Sequence, residues 1–138
     1  MELTVKPIGT GVQFEAEARG HKLICDQPRE NGGDDTGMTP PELMLASLGT
    51  CCAYYALQYL KSRSLPTAAL SVKVSAEKAQ QPARLGSFRI DVELPPLEER
   101  HREGIKRAIE KCLIHNTLLH PPTVEVALHM PEPAALNG

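Results

Sequence analysis

The chain has 138 residues, of which 41% are apolar and 23% are charged, and its formal net charge is −2 at pH 7. This length and composition predict one globular domain spanning residues 1–138, and a near-neutral charge without a basic stripe argues against a nucleic-acid-binding protein. The start of the chain lacks the charged-then-apolar layout of a signal peptide. Four cysteines without such a signal favour a reducing, cytoplasmic location.

Short strands separated by turns are predicted for the N-terminal part of the chain. In the middle strand, Val12, Phe14 and Ala16 alternate with polar side chains, which is the two-residue period of a half-buried strand. The segment 26–38 is rich in Gly and Asp, lacks the ligand spacing of a calcium loop, and is interpreted as a connector. The predicted strands are residues 3–8, 12–16 and 22–25, with turns at 9–11 and 19–20.

A long helix is predicted after the connector. Thr39 is a good N-cap, Pro40 suits the first helical turn, and Glu42 has the spacing of a capping box. The helix is expected to run to about residue 63 and to be the central buried helix, because it is apolar nearly all round. Residues 43–60 carry no charge and are long enough to span a membrane, but their polar side chains and the flanking strand patterns favour a buried soluble helix.

The second half of the chain predicts two strands, a helix and a final strand. Alternating apolar residues mark the strands at about 70–77 and 88–94, and the final strand is expected over 124–130. The helix is expected over about 97–114, and its inward stripe is Ile105, Ala108, Ile109 and Cys112. The resulting order, βββ-α-ββ-α-β, is that of an α+β fold.

Two of the four cysteines lie on helix faces that are expected to point inward. Cys51 is in the middle of the long helix, and Cys112 is on the stripe of the second helix with His115 one turn beyond it. Cys52 leaves its helix about 100° away from Cys51, so both cannot face one site well. Cys25 ends a strand and is interpreted as a small buried residue.

The residues alone leave several interpretations of these thiols open. Free cysteine is among the most buried residue types, so a single cysteine on an apolar helix face is typical of a core. A metal site is not predicted, because the chain has no Cys-x-x-Cys pair for zinc and adjacent residues of one helix diverge. A reactive pair requires that Cys51 and Cys112 meet in the folded protein.

Two separated segments resemble the OsmC/Ohr family of osmotically inducible and organic hydroperoxide resistance proteins. Residues 32–51, GGDDTGMTPPELMLASLGTC, are similar to the family's buried helix and the segment before it, and residues 110–118, EKCLIHNTL, are similar to its second cysteine segment. The order of strands and helices also matches, so the resemblance covers essentially the whole chain. It implies the OsmC-like fold and an obligate, intertwined homodimer with two active sites.

The resemblance also implies a reaction, the thiol-dependent reduction of organic hydroperoxides. A Cys51 thiolate would attack the peroxide O–O bond and become a sulfenic acid, and Cys112 would condense with that sulfenic acid to form a disulfide. An external dithiol of the lipoyl or thioredoxin type would then reduce the disulfide. No metal, flavin or other cofactor is expected.

The residues that support the thiolate in the family match this chain less closely. The family provides an Arg from an early loop and a Glu near the start of the central helix. Here the turn at 9–11 contains no Arg, so Arg19 in the next turn is the candidate, and Pro41 stands at the Glu position with Glu42 one step further. His115 is a further candidate, because it could polarise the thiols.

Two other functions remain compatible with the sequence. In one, the dimer is a non-catalytic binding module that holds a small hydrophobic ligand at its interface pocket. In the other, Cys51 and Cys112 form a purely structural pair.

Overall fold

The computed structural model describes residues 1–133, so the last residues of the predicted domain lie outside the described part. Within these residues the fold is mixed α+β, as predicted, with two antiparallel sheets and three α-helices. In chain order the elements are β1 (Thr4–Ile8), β2 (Gln13–Ala18), β3 (His21–Cys25), α1 (Pro40–Ser62), β4 (Ser71–Ala79), β5 (Arg84–Glu93), α2 (Glu99–Ile109) and α3 (Leu113–Leu119), with a single 3₁₀ turn, Arg29–Asn31, before α1.

The first three strands form a sheet with one polar and one apolar face. β1, β2 and β3 pair in chain order, and the turn between β2 and β3 consists of Arg19 and Gly20, both with positive φ (53° and 81°). Such turns match the twist of the strands that they join. On the polar face, Lys22 forms an ion pair with Glu15 at 3.3 Å. The register places Ile8 and Ile24 on this same face and most of the other apolar side chains on the opposite face: Val5, Pro7, Phe14, Ala16, Ala18, Leu23 and Cys25.

The long helix α1 begins with the capping box that the sequence predicts. The Thr39 side chain accepts a hydrogen bond from the Glu42 backbone, the Glu42 carboxylate accepts one from the Thr39 backbone, and Pro40 occupies the first turn. The fully buried stripe of α1 recurs every four residues, at Leu48, Cys52, Ala56 and Leu60. α1 is therefore central, but it buries a stripe rather than its whole circumference.

The core lies around α1 and excludes the three-stranded sheet. The buried stripe of α1 packs with Ile105, Ile109 and Cys112, and the apolar side chains of β4 and β5 cover this cluster from the other side. By length and composition alone α1 could cross a membrane. Its contacts with β4, α2 and α3 are those of a core helix.

The last third of the chain departs from the sequence prediction in two places. The helix predicted over residues 97–114 is two helices, because α2 ends at Ile109 and Cys112 adopts a non-helical ψ of 133° before α3. The strand predicted over residues 124–130 is not formed, since no other strand of the described chain pairs with this segment. Its apolar side chains are 83–85% exposed: Val124, Val126, Leu128 and Met130.

The hairpin of β4 and β5 is longer than the sequence prediction. β4 extends to Ala79 and β5 begins at Arg84, so the polar segment 78–87 is mostly strand, with a short turn at 80–83. Gly86 does not interrupt β5, although isolated glycine weakens a strand.

Candidate functional site

The structure brings Cys51 and Cys112 together as a disulfide. The two residues are separated by 61 positions in the chain, and their Cα atoms lie 6.0 Å apart, which is within the usual range for disulfide-bonded residues. Cys51 comes from the middle of α1, and Cys112 comes from the junction between α2 and α3. The juxtaposition on which a two-thiol function depends is therefore present within one chain.

The break between α2 and α3 positions Cys112. Its backbone N–H donates to the carbonyl of Ile109 at 3.0 Å, which closes the end of α2. Its own carbonyl accepts from the backbone N–H of Asn116 at 3.0 Å, which opens α3. Cys112 is thus held by backbone bonds on both sides, in the same core cluster as Leu48 and Ile105.

The two sulfur-bearing residues differ in exposure. Cys112 has no solvent-exposed surface, whereas Cys51 is partly exposed. On α1 the positions one turn before and after Cys51 are Ser47 and Tyr54, and both are exposed. An external molecule can therefore approach this pair from the side of α1.

The other two cysteines are free and lie in different surroundings. Cys52 is fully buried in the core, where burial raises the pKa of its thiol. A protonated, enclosed thiol is a poor nucleophile. Cys25 is partly exposed at the end of β3, rather than buried as the sequence suggests, and it faces the backbone of Met38.

Glu42 does not lie beside the cysteines within this chain. Its carboxylate accepts hydrogen bonds from the backbone N–H and the hydroxyl of Thr39, at 3.1 and 2.8 Å, and these bonds lower the pKa of Glu42. At about 100° per residue, Glu42 and Cys51 leave α1 on opposite sides. Glu42 lines instead an apolar groove of about 420 Å³ between α1 and β4, with Leu45, Gly49 and Val74.

Arg19 and His115, the other two predicted supporting residues, are placed differently. Arg19 is exposed in the turn between β2 and β3, and its guanidinium forms no hydrogen bond or ion pair within residues 1–133. His115 lies in α3, one turn after Cys112, and lines a cavity of about 640 Å³ between β5 and α2. Its Nδ1 is shielded from solvent and has no hydrogen-bond partner in the described part of the chain.

Asp26 is a residue that sequence reasoning missed. It is 1% exposed, and its carboxylate accepts bonds from the backbone N–H groups of Gln27, Asp34 and Thr36, from the Thr36 hydroxyl at 2.7 Å and from the Gln13 amide. These bonds, those from Thr36 above all, hold its pKa far below the usual range. The segment before α1 is thus an organised loop rather than a plain connector. An Asp that ends a strand and enters a Gly-rich segment was the available signal.

Metal ligands do not converge in the described part of the chain. Among residues 1–133, no three or more His, Cys, Asp or Glu side chains form a group that could hold an ion.

Comparison with known proteins gives a consistent family and fold. The family model described as OsmC-like protein matches residues 32–127. No curated protein gives a significant match to this sequence.

Solved structures share the fold at low sequence identity. One is a protein named for osmotic stress induction and detoxification response from Psychrobacter arcticus 273-4, with a TM-score of 0.74 and 18% identity over 83% of this chain and 85% of that chain. Another is an OsmC like protein from Mycoplasma pneumoniae, with a TM-score of 0.71 and 18% identity over 87% of each chain. A third is an organic hydroperoxide resistance protein OsmC from Legionella pneumophila, with a TM-score of 0.54 and 18% identity over 82% of this chain and 91% of that chain.

The family match covers well over half of the sequence, including both segments that carry the disulfide cysteines. With the fold of these neighbours, it establishes that the chain belongs to the OsmC-like protein family.

Proposed function

We propose that this protein is a thiol-dependent peroxidase that reduces organic hydroperoxides through Cys51 and Cys112. The observation that carries the proposal is the pairing of a partly exposed cysteine on α1 with an enclosed cysteine at the start of α3. Structural neighbours from Legionella pneumophila and Elizabethkingia anophelis are named as organic hydroperoxide resistance proteins, which supports a role in the response to peroxides.

The proposed reaction divides the work between the two thiols. The Cys51 thiolate attacks one oxygen of the hydroperoxide, the O–O bond breaks, and the alcohol leaves after it takes up a proton. Cys51 is then a sulfenic acid, and the Cys112 thiol displaces its hydroxyl group as water to form the disulfide. An external dithiol returns both cysteines to thiols, so each turnover consumes two electrons from the dithiol. A reducing cytoplasm would supply such a reductant.

Among the supporting residues, His115 is assigned the proposed role of polarising the thiols. It follows Cys112 by one helical turn, and its shielded Nδ1 is not engaged by any other described group. Arg19 and Glu42 are assigned no catalytic step, because the Arg19 guanidinium forms no hydrogen bond or ion pair within residues 1–133 and the Glu42 carboxylate is held in the helix cap on the opposite side of α1.

A homodimer is part of the proposal. The apolar face of the three-stranded sheet is open to solvent, with Val5 54%, Phe14 40% and Leu23 41% exposed. Contiguous exposed apolar surface of this kind marks an interaction site. Light scattering coupled to size exclusion should report a dimer; a monomer at micromolar concentration would contradict this part of the proposal.

The function is tested by turnover of the purified, reduced protein with cumene hydroperoxide and dithiothreitol. Cys51→Ser should abolish consumption of the peroxide, because an alcohol cannot replace the thiolate. Cys52→Ala is the matched control, since it removes the adjacent thiol and should leave turnover within about twofold of wild type. Full activity of Cys51→Ser would refute the proposal.

Binding of a small hydrophobic ligand is the second candidate function. It is favoured by the apolar groove between α1 and β4, which lies on the side of α1 opposite to Cys51. In that case the protein shows no turnover, and native mass spectrometry detects a co-purified apolar molecule. Substitution of Ala46 by Trp would displace that molecule without touching the disulfide.

A further inference from the structure

The Cys51–Cys112 disulfide is open to attack from one end only. Cys112 is 0% exposed, while Cys51 retains exposed surface. We propose that an external thiol reduces this bond by attacking the sulfur of Cys51, so that the mixed disulfide forms on Cys51 and Cys112 is the leaving thiolate. The proposal rests on the thiol cycle proposed above and specifies how that cycle closes.

The surroundings of the two sulfur atoms explain this direction. A thiolate approaches a disulfide along the S–S axis, from behind the sulfur that it attacks. Cys112 has no exposed surface and belongs to the core cluster together with Ile105 and Ile109. Cys51 lies at the edge of the exposed face of α1: Ser47 and Tyr54, one turn away on either side, are exposed, whereas Leu48, three residues before Cys51, is buried. Attack on Cys112 would require the core to open, and attack on Cys51 would not.

The step balances without any further reactant. As the incoming thiolate bonds to Cys51, the bond between Cys51 and Cys112 breaks, and its electron pair leaves on the Cys112 sulfur, which takes up a proton. The second thiol of the same molecule then attacks its own sulfur in the mixed disulfide and releases Cys51 as a thiolate. The dithiol loses two electrons and becomes a disulfide, and the protein pair gains two electrons.

The enclosed position of Cys112 also determines which reductants succeed. After expulsion, the Cys112 sulfur stays beside Cys51, because backbone bonds to Ile109 and Asn116 hold its residue in place. The Cys112 thiolate can therefore attack Cys51 in the mixed disulfide. This attack re-forms the bond between Cys51 and Cys112 and releases a monothiol again. A dithiol escapes this reversal because its second thiol reacts within the same adduct, at high effective concentration.

A trapping experiment distinguishes the two ends of the disulfide. The Cys25→Ala/Cys52→Ala variant is oxidised with diamide, so that formation of the bond does not depend on peroxidase activity. It is then exposed briefly to a large excess of glutathione, which offsets reclosure of the disulfide. The sample is quenched with acid, unfolded in urea and alkylated with N-ethylmaleimide, so that an enclosed Cys112 thiol is also labelled. Peptide mapping should find glutathione on Cys51 and maleimide on Cys112. The reverse labelling, equal labelling of both, or a disulfide that neither forms nor is reduced would overturn the proposal.

Two matched variants test the same direction by rate. Ser47→Trp places a bulky side chain one turn from Cys51, and Leu113→Trp places one next to Cys112, where Leu113 is 62% exposed. Reduction of the diamide-oxidised protein by dithiothreitol should slow severalfold in Ser47→Trp and stay near the wild-type rate in Leu113→Trp. Slowing by Leu113→Trp alone would show that the thiol enters at Cys112. Because no hydroperoxide is used, failure here is distinguishable from failure of the proposed function.

Discussion

Asp26 determines the conformation of the loop that precedes α1. Its two carboxylate oxygens accept hydrogen bonds from backbone and side-chain donors of the loop. The backbone N–H of Asp26 donates to the carbonyl of Met38 at 3.2 Å, and this bond joins the two ends of the loop. Gly33 is required beside it, since a Cβ there would lie 2.6 Å from the carbonyl carbon of Gln27 and 2.7 Å from Asp26 Oδ1. A single charged residue thus fixes the segment that leads into the capping box of α1.

Replacing Asp26 by Asn should lower the stability of the protein, although the two side chains have the same shape. In the amide, an NH₂ group replaces one of the two carboxylate oxygens, and this group cannot accept a hydrogen bond. The buried N–H groups that donate to that oxygen in the wild-type protein therefore lose their partner. Urea unfolding at pH 7 should give a lower midpoint for Asp26→Asn than for wild type. Asp35→Asn is the matched control, because Asp35 is exposed in the same loop and its φ of 55° is one that Asn tolerates.

The contribution of Asp26 should also depend on pH, with a defined sign. The pKa of Asp26 is lowered in the folded protein, mainly by the bonds from Thr36, whereas an unfolded Asp titrates near about 3.9. The ionised Asp26 therefore stabilises the folded protein fully at a pH above the pKa of Asp in the unfolded chain. This stabilisation is lost as the pH falls from that value towards the lower pKa of Asp26 in the folded protein. The difference in midpoint between wild type and Asp26→Asn should shrink from pH 6 to pH 3. A difference that is constant over this range would contradict the assignment.

At the scale of single residues, the sequence predicts part of the site. The capping pair Thr39 and Glu42 follows from spacing alone, because a cap depends on neighbours within one helical turn. The meeting of Cys51 and Cys112 does not follow from spacing, since nothing local links two residues 61 positions apart. The family resemblance supplied it. Asp26 was missed because its partners come from separate parts of a loop without a regular period.

The contact between α1 and α2 depends on a glycine. Tyr59 of α1 lies directly over Gly104 of α2, and its hydroxyl bonds to His101 Nδ1 at 3.1 Å. The guanidinium of Arg63 lies over the Tyr59 ring at 3.7 Å from its centre. The absence of a side chain at position 104 leaves the space that the Tyr59 ring occupies between the two helices.

Gly104→Ala should destabilise the protein despite the higher helix propensity of alanine. The new Cβ would lie 2.6 Å from two ring carbons of Tyr59, and it would also clash with the Tyr59 hydroxyl. The Tyr59 ring can move aside only by giving up its hydrogen bond to His101 and its contact with Arg63. Overpacking costs about 1–3 kcal/mol, which exceeds the roughly 1 kcal/mol that alanine gains over glycine in a helix. Thermal unfolding measures the loss. Gly11→Ala is the control, because a Cβ there meets no atom within 4 Å; equal effects of both changes would rule out the proposed clash.

A helix or strand could be predicted from the sequence where a single periodic pattern of apolar residues runs through the whole of it. The strands β4 and β5 follow from their alternation, and α1 follows from its cap and apolar run. The break between α2 and α3 was not predictable, because Ile105, Ile109 and Cys112 keep helical spacing across it and neither Gly nor Pro marks the residues 110–112.

At the scale of the whole molecule, one chain leaves two apolar surfaces uncovered. One is the apolar face of the three-stranded sheet, which contributes nothing to the core around α1. The other is the alternating segment 124–130, which has the pattern of a strand but no paired neighbour in the described chain. The sequence identified the pattern correctly. It could not reveal that no strand within residues 1–133 pairs with this segment, because strand pairing is not local.

The segment 124–130 should contribute to the proposed dimer through its apolar side. In the double variant Val126→Asp/Leu128→Asp, two charged side chains replace two apolar ones. Burial of each apolar side chain contributes about 1.5–3 kcal/mol to the free energy of association. The Kd for dimerisation should therefore rise by at least about tenfold for each position. Sedimentation equilibrium measures this change. Glu125→Lys is the control, because position 125 alternates with the apolar positions and lies on the polar side of the segment, and it should leave the Kd unchanged. Equal weakening of the dimer by both variants would exclude a strand-like contact.

The most direct test of a peroxidatic pair is the chemical state of the protein after one equivalent of cumene hydroperoxide. The reduced protein should lose the mass of two hydrogen atoms, and peptide mapping should join Cys51 to Cys112, with Cys25 and Cys52 still free. In Cys112→Ser the same treatment should instead leave a sulfenic acid on Cys51 that dimedone traps. An unchanged mass in the wild-type protein, with the hydroperoxide still present, would contradict the account.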